Sequence, residues 1–151
     1  MLDLGRKKVL QATRLQAPIN HVELNPRHPS VLLVTQAGRE GNIVVLDHRS
    51  SYNRPVLSYG YPLAGGGPTS AVKAHWSPTG LQLACGGVDA AAYLWDVRRQ
   101  GSPLWAPHQE FRGIHEGRLF DVAWHPKASS TLVTIALDRA IGIHAFRVAP
   151  V

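Results

Sequence analysis

The sequence is most informative first in what it lacks. It has a single cysteine, Cys85, so no disulfide can close within its 151 residues, and a disulfide-stapled secreted scaffold is excluded. Its apolar runs are short, as at Ile43–Leu46. A membrane-spanning helix needs ~20 consecutive apolar residues, so none is expected. Arg6, Lys7 and Lys8 are not followed by an apolar stretch, so a secretory leader is not expected, and an intracellular site, nuclear or cytoplasmic, is. No convincing amphipathic helix is written anywhere in the chain. The catalytic motifs are missing too. There is no Gly-x-Ser-x-Gly nucleophile elbow, and Gly65-Gly66-Gly67 is not followed by the Lys-Ser/Thr of a phosphate cradle. The eight histidines (21, 28, 48, 75, 108, 115, 125, 144) include no His-x-x-x-His on a helix and have no cysteine cluster beside them, so no metal site and no cofactor are expected. Cys85 lies in an apolar strand and reads as an inert core residue. Together these absences point away from an enzyme.

What is present is a repeat. Glu40, Asp89 and Asp138 are spaced 49 residues apart, and so are Arg49, Arg98 and Arg147. Between each acidic residue and its arginine lies a short apolar run: Asn42–Leu46, Ala91–Trp95 and Ala140–Phe146. An x-Pro turn precedes each unit's second strand, at Asn25-Pro26, Ser77-Pro78 and His125-Pro126. Alternating or β-branched stretches at 19–24, 31–35, 56–59, 71–76, 81–86, 118–124 and 131–135 predict strands. A weaker outer strand is expected within 104–111, interrupted by Pro107. The expectation is an all-β chain divided as an outer strand over 1–17, a first repeat over 18–61, a second over 62–112 that begins with a Gly/Pro-rich loop, and a third over 113–151.

Strand, x-Pro turn, strand, acidic turn, strand, Trp-Asp resembles the WD-repeat family, whose β-propellers spend one four-stranded blade on each repeat. The match is closest at Asp89 with Trp95-Asp96. Glu40 and Leu46 replace Asp and Trp in the first unit, and His144 and Ala145 occupy the Trp-Asp slots of the third. The resemblance implies a partial propeller of about three blades. It also implies structural roles for Asp89 and Asp138 in tight turns, for Trp95 in the core, and for His115 as the histidine before the first strand of the third unit. Three blades are fewer than the usual 4–8, so completion by further chain, by a second copy or by a partner is expected.

The family resemblance implies a non-enzymatic scaffold for other proteins. Trp95-Asp96-Val97-Arg98 also resembles the Asp-x-Arg box of WD-repeat receptors that dock on the adaptor of cullin-RING ubiquitin ligases, and Leu46-Asp47-His48-Arg49 is a second, weaker copy. Arg98 and Arg49, with Asp96 and Asp47 beside them, are therefore the partner-binding candidates. The plainer alternative is that Arg98 only pairs with Asp96 or covers the outer strand. The net charge of +6 admits an RNA or DNA partner, but the basic residues are scattered with no run of five, which weakens that reading.

Overall fold

The computed structural model describes residues 12–37, 42–50, 55–60, 72–99 and 106–147. Within them the chain is all-β, with no helix, and its strands form three antiparallel sheets. The first sheet is β1 (Ile19–Leu24), β2 (Val31–Gln36), β3 (Ile43–Asp47) and β4 (Leu57–Tyr59), in that spatial order. The second is β5 (Ala74–Trp76), β6 (Gln82–Gly86), β7 (Ala92–Asp96) and β8 (Gln109–Phe111). The third is β9 (Leu119–His125), β10 (Ala128–Ala136) and β11 (Ile141–Ala145). Each sheet is a meander, so every pairing is between strands that neighbour each other in the sequence.

Most expected strands fall where the alternation puts them. The differences are local. Strand β10 is longer than the expected 131–135, because it pairs with β9 from Ala128↔His125 onward through a bulge. Strand β8 begins only at Gln109, two residues after the proline that cannot donate to a ladder. The outer strand expected over 1–17 falls largely outside the described residues, and 12–17 carry no strand. The glycine-rich loop at 65–67 also lies outside them.

The repeat seen in the sequence is a repeat of register. Val31 pairs with Asp47, Gln82 with Asp96, and Thr131 with Ala145, so the third strand of each sheet meets the second at the same place. Leu46, Trp95 and His144 are therefore equivalent positions, each facing the same way out of its sheet.

The turns that precede the third strands of the second and third sheets are equivalent as well. Ala90 and Arg139 take left-handed φ values of 63° and 66°, directly after Asp89 and Asp138. The x-Pro turns have side-chain anchors. Asn25 is buried, and its carbonyl oxygen accepts the backbone N–H groups of Arg27 and His28 at 2.9 and 3.0 Å. Its amide donates to the carbonyl of Gly80 in the next sheet's turn at 2.9 Å, tying the two turns together.

The sheets stack in chain order over two apolar layers. Between the first and second lie Leu33, Ile43, Val45, Leu83, Tyr93 and the fully buried Trp95. Between the second and third lie Ala84, Leu94, Leu119, Val122 and Leu132. Each large side chain buried this way contributes about 1.5–3 kcal/mol. The second and third sheets approach closely at Gly86: a Cβ there would sit 2.6 Å from the Leu119 Cβ. Leu119 also donates its N–H to the Gly87 carbonyl at 3.0 Å, so the contact is hydrogen-bonded as well as packed. At the far ends of the stack, apolar side chains stay exposed: Val22 and Leu24 on the first sheet, Ile141 and Ile143 on the third.

Candidate functional site

The two Asp-x-Arg copies adopt the same geometry. Arg98 donates through Nε to Asp96 Oδ1 at 2.9 Å and through Nη2 to Oδ2 at 2.6 Å, while its backbone N–H reaches Oδ1 at 3.0 Å. Arg49 does the same to Asp47, at 3.1, 2.7 and 2.9 Å. Each is a bidentate fork closing a two-residue turn just past the third strand. Burial would raise the Asp96 carboxyl, but the Arg98 side-chain and backbone bonds outweigh it and hold it below the usual carboxylate range. The Arg49 fork brings Asp47 down to about 2. The two arginines stay exposed, so each presents a planar cation of fixed orientation on the same edge of consecutive sheets. The third copy has Ala145 where the carboxylate would be, and Arg147 forms no such fork.

Asp89 and Asp138 close equivalent turns through different partners. Asp138 accepts the backbone N–H groups of Ala140 and Glu116, both at 2.9 Å, and the His115 Nδ1–H at 3.1 Å. Those backbone bonds, with His115 behind them, lower its carboxyl below the ordinary range. Asp89 has no such histidine. Its Oδ2 accepts the Tyr93 hydroxyl at 2.6 Å and Arg112 Nη2 at 2.8 Å. Burial opposes ionisation there, and the bonds from Tyr93 and Arg112 prevail. Arg112 follows β8 and also lies over the Tyr93 ring, 5.8 Å from its centroid. Sequence reasoning missed this staple, because Arg112 is 23 residues from Asp89 and belongs to no motif.

His115 heads a buried chain of hydrogen bonds. Its Nε2 lies 2.7 Å from Thr134 Oγ1, and that hydroxyl lies 3.0 Å from His144 Nε2. Asp138 can only accept, so His115 donates from Nδ1 and accepts at Nε2. The Thr134 hydroxyl then donates to His115 and accepts from the His144 Nε2–H. Trp95 occupies the position equivalent to His144 in the second sheet. It is fully buried, with its ring centroid 6.2 Å from those of Tyr59 and Tyr93.

Cys85 is fully buried, and burial pushes its thiol up, so it stays protonated and unreactive at neutral pH.

A second group that linear spacing could not reveal gathers where the first strands of the three sheets meet. His21 and Glu23 come from β1, His75 from β5 and Asp121 from β9. His75 Nδ1 lies 3.2 Å from Glu23 Oε2, and its Nε2 lies 2.9 Å from Asp121 Oδ1. His21 Nε2 is 3.8 Å from the same Glu23 oxygen, and its ring lies 4.6 Å from that of His75. Burial opposes a charge on His75, but the carboxylates on either side outweigh it and raise its affinity for a proton. His21 is shifted the other way, by burial and then by the neighbouring His75. Glu23, His75 and Asp121 line an open cleft of about 580 Å³ with Trp76, Trp124 and Ile135.

Among the described residues no helix is long and apolar enough to cross a membrane. No family model matches the chain, and no curated protein sequence matches it.

Proposed function

We propose that the three sheets are blades of a WD-repeat β-propeller acting as a non-enzymatic scaffold for other proteins, with the Arg49 and Arg98 forks forming part of its docking rim. The observation that carries this reading is the repetition of one exposed Asp–Arg fork on two consecutive sheets in the same register. A guanidinium already oriented by its own carboxylate loses little freedom on meeting a partner carbonyl or carboxylate, and two such groups at a fixed spacing make a patterned contact. The meander topology and the equivalent Asp-led turns support the propeller assignment. The exposed Val22 and Leu24 at one end, and Ile141 and Ile143 at the other, are surfaces that a further sheet of the same kind would cover.

The same pair of forks favours one specific role, that of a substrate receptor docked on a cullin-RING ligase adaptor. The test is co-purification of that adaptor with the wild-type chain, with Arg98→Ala and with the Arg49→Ala/Arg98→Ala double variant. The expected result is stepwise loss of adaptor with an unchanged melting temperature. Undiminished recovery with the double variant removes the ligase role, and undiminished recovery of all bound proteins removes the rim assignment. Binding to RNA or DNA that collapses with added salt would replace the protein-scaffold reading with a nucleic-acid one.

A further inference from the structure

We propose that His21, Glu23 and His75 form a binding site for a divalent transition-metal ion of the zinc, cobalt or nickel class, at the mouth of the cleft where the first strands of the sheets converge. Two imidazole nitrogens and one carboxylate oxygen lie within 4.8 Å of one another. Around an ion with ligand bonds of about 2.1 Å, tetrahedral neighbours stand about 3.4 Å apart. Glu23 Oε2 is 3.2 Å from His75 Nδ1 and 3.8 Å from His21 Nε2, so small side-chain rotations bring the three donors to that spacing.

The surroundings are arranged as those of metal ligands usually are. His75 Nε2–H donates to Asp121, which fixes the ring and leaves Nδ1 as the coordinating atom. Asp121 is itself held by the backbone N–H of Val122 at 2.9 Å and by Lys73 Nζ at 3.4 Å, so it serves as an anchor and not as a fourth ligand. Glu23 Oε2 is oriented by the backbone N–H of Trp76 at 3.2 Å. His21 Nε2 is buried, has no hydrogen-bond partner, and points toward the same carboxylate. A cation between the three donors satisfies that nitrogen. It also takes the place of the proton that the His75–Glu23 contact otherwise requires. Three protein donors leave at least one coordination position facing the cleft, where water or a partner's side chain can enter. The ion would also tie β1 of the first sheet to β5 of the second.

The test is titration of the full chain with Co²⁺, read by its visible absorption bands, followed by displacement with Zn²⁺. One equivalent is expected to bind, giving a spectrum of nitrogen and oxygen ligation. His21→Ala and His75→Ala should each abolish stoichiometric binding. Asp121→Asn should weaken it about 10- to 100-fold while leaving all three donors in place. His125→Ala, at the exposed end of β9 and outside the donor set, should change nothing. Histidine ¹⁵N spectra of the wild-type chain with Zn²⁺ need no variant to fold. They should show ligation at His75 Nδ1 and His21 Nε2. Absence of one-equivalent binding, or ligation at other histidines, overturns the site.

Discussion

His144 Nε2 lies 3.0 Å from Thr134 Oγ1, in the place that Trp95 takes one sheet earlier. The imidazole thus does with one N–H what an indole N–H at that position would do, and extends the His115–Asp138 pair into a four-residue chain. The chain is buried at Thr134, which is 0% exposed, so each member depends on its neighbours for hydrogen bonds.

Thr134→Val keeps the volume and removes the hydroxyl. His115 Nε2 and the His144 N–H both lose their partner in a site closed to water. The expected loss is about 1–3 kcal/mol, read as a lower urea midpoint with an unchanged slope. Thr131→Val, three residues earlier on the same strand and outside the chain of bonds, should cost much less.

Gly142 faces this network. A Cβ there would stand 2.5 Å from Thr134 Oγ1 and 2.8 Å from His115 Nε2. Gly142→Ala, although it raises intrinsic strand preference, should therefore destabilise by about 1–3 kcal/mol. Thermal melts check this, and loss of protection at the His115 ring protons places the damage.

Ala90 holds φ of 63° in a conformation that L residues adopt only with strain. Ala90→Gly should relieve it and raise stability by about 0.5–1 kcal/mol after allowing for the freer unfolded chain. The same change at Arg139, at 66°, should act in the same direction.

The pH dependence has two parts. Burial, and then the neighbouring His115 ring, lowers the His144 pKa below its ordinary 6.5. The unfolded chain therefore binds that proton more readily. The cost is absent above 6.5 and grows as the pH falls below it. The wild type should accordingly lose stability relative to His144→Gln as the pH falls from about 6.5 to about 5. Asp89, Asp96 and Asp138 are lowered from 3.8, so their contribution is present above that value and disappears as the pH falls through the depressed values. Urea midpoints of wild type and variant from about pH 7.5 down to about pH 2 check both parts.

Sequence alone determined the local layer of this protein. Proline, asparagine and glycine mark turns because they restrict or free the backbone at single residues, and alternation marks strands because successive side chains leave a strand on opposite faces. The 49-residue spacing of Asp89 and Asp138, and of Arg49 and Arg98, was legible for the same reason, as was the placing of Asp96 and Asp47 two residues from an arginine. Pairing His115 with Asp138 was legible only through resemblance to a family pattern. Tertiary structure decided the rest. Arg112 reaches Asp89 because β8 returns along β7, and His144 meets Thr134 because β10 and β11 pair in one particular register. His21, Glu23, His75 and Asp121 come together because three sheets set their first strands side by side. A carboxylate and an imidazole attract at a few ångströms whatever their separation along the chain, and only the stacking of sheets over a shared apolar core brings such distant residues within that range.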